Sequence, residues 1–123
     1  MILGLPTRPG LRIMVATQPV DFRRGMDGLA ALVTRALSFD PYAGDIFVFR
    51  AKRIDRIKIL VWDGSGLCLV TKRLEAGGFI WPPVRDGAIS LSATELRLLF
   101  AGMDWTQLAR RTTIAVPVGA EKT

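Results

Sequence analysis

Arg56-Ile57-Lys58-Ile59-Leu60-Val61-Trp62-Asp63-Gly64-Ser65-Gly66-Leu67-Cys68-Leu69-Val70-Thr71-Lys72-Arg73 decides the fold of this chain. Side chains alternate across a strand, so Ile57, Ile59 and Val61 share one face and Arg56, Lys58, Leu60 and Trp62 the other. Asp63-Gly64-Ser65-Gly66 breaks the run with turn residues and signals a hairpin. Leu67 to Arg73 is then the returning antiparallel strand.

Upstream, Ile46 to Arg50 reads as a third strand, linked by Ala51-Lys52-Arg53-Ile54-Asp55 and preceded by the turn Asp40-Pro41-Tyr42-Ala43-Gly44-Asp45. The three strands form an antiparallel meander. Before them, Met26, Leu29, Ala30, Val33 and Leu37 recur at helical spacing. Asp21 or Asp27 is the candidate cap of that helix, and Gly28 weakens it slightly. Leu11 to Thr17 reads as a short strand ended by Gln18-Pro19. Residues 1–10 read as an irregular arm, broken by Gly4, Pro6, Pro9 and Gly10.

Downstream, Gly77 and Gly78 close the block, and Ile80-Trp81-Pro82-Pro83 must be extended. Ser92-Ala93-Thr94-Glu95 has capping-box spacing ahead of Leu96, Leu99, Phe100 and Met103, with Gly102 near the helix end. The expectation is a single α+β domain over residues 11–104, a small antiparallel sheet packed against two main helices. Ile57, Ile59 and Val61 would meet Leu29, Val33, Leu96 and Leu99 in its core. Residues 105–123 read as a tail in which Ile114 to Val118 is a candidate edge strand.

Composition narrows the function. Half of the 123 residues are hydrophobic, enough for a core. The lone Cys68 allows no internal disulfide, and the absence of histidine removes most transition-metal sites and any Ser-His or Cys-His nucleophile. No catalytic residue, metal or cofactor is expected. No apolar run approaches the roughly 20 residues of a membrane helix, and the N-terminal residues lack a signal-peptide pattern. The expectation is a cytoplasmic protein with no membrane partner.

The net charge is +6, which favours polyanionic partners. It is concentrated: Arg50, Lys52, Arg53, Arg56, Lys58, Lys72 and Arg73 face only Asp55 and Asp63 between positions 50 and 73. Interleaved with Trp62, they read as a basic and aromatic sheet face able to hold a phosphate backbone and stack a base. The rival reading is a solvated face whose long stems cover apolar surface. Arg23-Arg24, beside a helix start, form a second basic spot where phosphate would meet arginines and free N–H groups; there a local Asp21 pair is the simpler reading. Arg110-Arg111 are read as a solvated tail.

Asp21, Asp40, Asp45, Asp63, Glu75 and Asp104 offer carboxylates for a magnesium site, but Asp40, Asp45 and Asp63 sit where turns favour aspartate. Cys68 reads as a small buried apolar residue. Trp62, Trp81 and Trp105 most often mean core, and Trp81 beside Pro82-Pro83 is the best partner-facing aromatic, with Trp62 next.

Several motifs follow one another in order along the chain. They are Asp21-Phe22-Arg23-Arg24-Gly25-Met26-Asp27-Gly28-Leu29, Asp40-Pro41-Tyr42-Ala43-Gly44, Phe47-Val48-Phe49-Arg50, Asp55 to Asp63, Lys72-Arg73-Leu74-Glu75, Phe79 and Trp81-Pro82. The series, from about residue 11 to residue 104, resembles the accessory proteins of insertion-sequence family 66. Phe22, Ala43, Ala51-Lys52 and Gly78 depart from the family pattern; Gly78 stands where a basic residue is common.

The resemblance implies a bacterial protein that works beside a separate transposase in DNA transposition, and it brings no catalytic residues. The expected function is a non-catalytic accessory factor that binds DNA or the transposase–DNA complex, with DNA and transposase as partners. Two rivals remain: an adaptor for the transposase without DNA contact, and a magnesium-dependent nuclease using Asp63 or Glu75.

Overall fold

The computed structural model describes residues 2–5 and 7–107. Its elements are β1 (Ile13–Ala16), α1 (Met26–Ala36), β2 (Ile46–Arg50), β3 (Arg56–Trp62), β4 (Leu67–Arg73), β5 (Ala88–Leu91) and α2 (Ala93–Phe100). They build one five-stranded sheet in the order β4-β3-β2-β1-β5. The expected α+β domain and its β2–β3–β4 antiparallel meander are present.

Two features go beyond the sequence reading. β1 pairs with β2 in parallel, which requires a crossover, and α1 provides it. β5, unanticipated, runs antiparallel to β1 at the far edge, Ile13 facing Leu91 and Ala16 facing Ala88. At four residues with little periodicity, β5 leaves almost no local signal.

The expected single inward set is corrected. The sheet is covered on both faces, and the two helices lie on opposite ones. Leu96 and Leu99 of α2 pack with Ile13, Val15, Ile46, Val48, Ile57, Ile59 and Val61. Leu29, Ala30 and Val33 of α1 pack on the other side with Met14, Ala16, Phe47, Phe49 and Leu60. Leu60 decides the matter: it is fully buried, a burial that stabilises by about 1.5–3 kcal/mol. The face carrying Arg56, Lys58, Leu60 and Trp62 is therefore a second core with a basic rim, not an open strip. The same burial on both sides explains the near-continuous apolar run of β2.

Helix ends follow local chemistry unevenly. Ser92 and Glu95 form the expected capping box: Ser92 Oγ accepts from the Glu95 N–H at 3.1 Å, and the Ser92 N–H donates to Glu95 Oε1 at 2.7 Å. At the other end the Met103 N–H reaches Leu98 O (2.9 Å) and Gly102 adopts φ 78°, a Schellman motif. By contrast, the α1 cap is Gly25, and no side chain caps that helix. Asp21 instead accepts from the Arg23 N–H in the preceding turn.

The arm and the turns are anchored from far away. Asp45, read as a turn residue, is fully buried. Its Oδ1 accepts from Arg8 Nη2 and from the Arg12 N–H, both at 2.8 Å. Its Oδ2 accepts from Arg12 Nε and Nη2 at 3.1 and 2.9 Å. Burial by itself raises the Asp45 pKa, but the Arg12 N–H, the Arg12 guanidinium and Arg8 outweigh it and hold the carboxyl below its ordinary value. Ile2, Leu3 and Leu5 pack against the α2-side core. Trp105, assigned to the tail by sequence, is buried, and its indole N–H donates to Ile80 O at 2.6 Å. Arg110-Arg111 and the Ile114–Val118 stretch lie outside the described residues. Among the described residues no helix is long and apolar enough to cross a membrane.

Candidate nucleic-acid interface

The seven basic residues of positions 50–73 do not act as one surface; the tertiary structure divides them into two groups. Arg50, Lys58 and Lys72 turn onto carbonyls of the chain itself. Arg50 Nη1 donates to Pro82 O at 2.8 Å and Thr17 O at 3.3 Å, and its guanidinium lies 5.3 Å over the Trp81 ring. Burial lowers the Arg50 pKa from its ordinary value. Lys58 Nζ donates to Phe22 O (2.6 Å) and Arg24 O (3.0 Å) and sits 5.0 Å from the Phe22 ring. Lys72 Nζ donates to Phe100 O (2.7 Å), one of the orphan carbonyls at the end of α2, and sits 4.4 Å over the Phe100 ring.

Lys52, Arg53, Arg56 and Arg73 form the second group, at one corner of the α1 side. Lys52, Arg53 and Arg73 are exposed. The β3–β4 register sets Arg56 directly opposite Arg73. Asp55 is their nearby acid, but it is shared and loosely held: Oδ1 lies 3.7 Å from Arg53 Nε and 3.6 Å from Arg56 Nε. Both Arg56 Nε and Asp55 Oδ1 are buried without a hydrogen-bond partner.

Lys52, Arg53 and Arg56 line one wall of a groove of about 400 Å³; Pro19, Val20, Asp21 and Phe22 line the other, with Ala51 between. The second wall is fixed in place, because the Val20 N–H donates to Arg50 O at 2.8 Å and Lys58 holds the Phe22 carbonyl. Arg23 and Arg24 continue that wall toward α1. Arg23 grips Asp21 (Nη2 to Oδ2, 2.7 Å), and this hydrogen bond lowers the Asp21 pKa to about 2. Arg24 is exposed.

The aromatic residues lie elsewhere. Trp62, at the other end of β3, is half-buried and meets Tyr42 edge-on at 5.8 Å. Trp81 is half-buried between Arg50 and Phe79, and its Nε1 is buried without a partner. Neither ring lines the basic groove. The roles that the sequence did not reveal are those of Val20 and Phe22 as a groove wall and of Asp45 as an anchor; none carries a local signal, since each depends on partners far along the chain.

The carboxylates are occupied differently from a metal site. Asp63 Oδ1 accepts from the Ser65 and Gly66 N–H groups, both at 2.8 Å, and those bonds lower its pKa. Among the described residues no three His, Cys, Asp or Glu side chains are grouped to hold a metal ion.

The ordered motifs agree with a family comparison: the model for the IS66 Orf2 like protein matches residues 11–110. The chain belongs to the IS66 Orf2-like family. This membership points to an accessory role in transposition. Two relatives come from Sinorhizobium fredii (strain NBRC 101917 / NGR234). The uncharacterized protein y4jC is 66% identical over 106 residues, covering 86% of this chain and 90% of that protein. The uncharacterized protein y4hO is 41% identical over 101 residues, covering 82% and 88%. No solved structure matches. At Gly78 a Cβ would lie 2.5 Å from the Ile54 side chain, which would have to shift to admit one.

Proposed function

We propose that this IS66 Orf2-like protein is a non-catalytic transposition factor that contacts DNA, alone or with the element's transposase, through Lys52, Arg53, Arg56 and Arg73, flanked by Arg23 and Arg24. One observation carries the reading. Arg56 and Arg73 face each other across two strands, an arrangement that costs stability, and their shared corner is not neutralised by Asp55 alone. Like charges gathered at a local cost are expected where an anion is to be held.

Arg50, Lys58 and Lys72 take a supporting role here. Lys58 holds the groove wall, Lys72 the end of α2 and Arg50 the carbonyls of Thr17 and Pro82, so removing their charges acts on DNA indirectly.

A gel-shift titration of linear DNA at several salt concentrations tests the proposal. Binding weakens steeply with salt because counterions are released, and each lost phosphate contact lowers the slope by about 0.9. Lys52→Ala with Arg53→Ala therefore lowers it by about 2. No binding at low salt removes the DNA contact.

The adaptor reading draws on the half-exposed Tyr42 beside Trp62. It predicts that capture of the transposase survives nuclease treatment and is lost on changing Trp62 or Trp81 to Ala.

A further inference from the structure

We infer that the groove between residues 19–22 and 51–56 takes an unpaired nucleotide, so that the protein prefers single-stranded DNA to duplex; this rests on the DNA reading above. The two walls differ in chemistry. Lys52, Arg53 and Arg56 present charge, whereas Pro19, Val20, Phe22 and Ala51 present apolar surface. A ligand complementary to both walls has an anionic part and a flat apolar part within about 400 Å³, the range of small-molecule sites. A nucleotide with its base out of the stack meets that description. A duplex does not: its bases are paired and stacked, so it reaches the cationic wall and leaves the apolar wall wet.

Three further observations favour this occupant. Arg56 lines the groove with its Nε buried and unpaired, Asp55 Oδ1 lying beyond hydrogen-bond distance at 3.6 Å; a small rotation of the partly exposed guanidinium toward the groove lets a phosphate oxygen satisfy that donor. Asp21, the acid on the apolar wall, is already bound by Arg23 at 2.7 Å, which reduces its repulsion of an anion. The wall is also built in advance by the Val20 N–H to Arg50 O bond and by Lys58 on Phe22 O, so little ordering accompanies binding.

Fluorescence anisotropy of the full chain with a labelled single strand, the same sequence as a duplex, and polyphosphate as a charge-only competitor tests the inference. The single strand is expected to bind about tenfold tighter than the duplex at equal salt, the equivalent of one base accommodated. Pro19→Ser and Val20→Ser, both confirmed folded by circular dichroism, lower single-strand affinity and leave duplex affinity unchanged. Pro19 is exposed and stays informative if Val20→Ser unfolds. Equal or tighter duplex binding, or polyphosphate competing as well as the single strand, overturns the single-strand preference while the DNA reading stands. Binding of neither DNA form overturns both.

Discussion

Arg56 of β3 and Arg73 of β4 stand directly opposite each other in the sheet register. Two guanidinium groups in that relationship repel, and Asp55, 3.6 Å from Arg56, offsets the repulsion only in part. Arg73→Thr is therefore expected to stabilise the fold by about 0.2–1 kcal/mol, the usual size of a cross-strand pair. The same variant is expected to bind DNA more weakly. Urea unfolding and gel shift on one preparation check both directions; a variant less stable with unchanged DNA affinity contradicts the assignment of this corner.

Asp45 links the arm, β1 and β2 through Arg8 and Arg12. Asp45→Asn is expected to cost about 2–3 kcal/mol, since charge-assisted hydrogen bonds become neutral or are lost at a sealed site. The pH dependence has a definite sign. The folded pKa lies below the ordinary value of 3.8, so the group adds stability above that value and loses it as pH falls through the folded pKa. Thermal melts of wild type are expected to drop below about pH 4, with a shallower drop in Asp45→Asn.

Lys58 holds two carbonyls of the segment leading into α1, a helix start that has no side-chain cap. Lys58→Met preserves the stem and removes the ammonium. The expected cost is about 1–2 kcal/mol, accompanied by faster amide hydrogen exchange at residues 22–28. Unchanged exchange there argues against Lys58 as the clamp of the groove wall.

Burial and then the neighbouring Asp63 raise the Cys68 thiol pKa, and Sγ lies 3.6 Å from Asp63 Oδ2. Thiolate is the reactive form. Alkylation by iodoacetamide at pH 8 is expected to run slower in the folded protein than in urea, where the ordinary thiol value returns. Equal rates would show that the strand environment does not protect the sulfur.

Short-range physics specified the local elements. Period-two alternation and the Asp63–Gly66 turn specified β3 and β4, and helical spacing placed α1. The Ser92–Glu95 box with Gly102 bounded α2, because caps and turns are satisfied within a few residues. The concentration of charge in residues 50–73 was equally visible.

Long-range packing governs how those pieces are used. It put α1 and α2 on opposite faces, so Leu60 is buried where alternation alone set it beside Arg56 and Lys58 on a solvated face. It paired β1 with β2 and added β5, contacts between residues distant in sequence. It separated Lys58 and Lys72, spent on Phe22, Arg24 and Phe100 carbonyls, from Lys52, Arg53, Arg56 and Arg73 at the basic corner. A cation's role depends on which acceptor lies within about 3 Å of it, and for Lys58 and Lys72 the acceptor is supplied by chain tens of positions away.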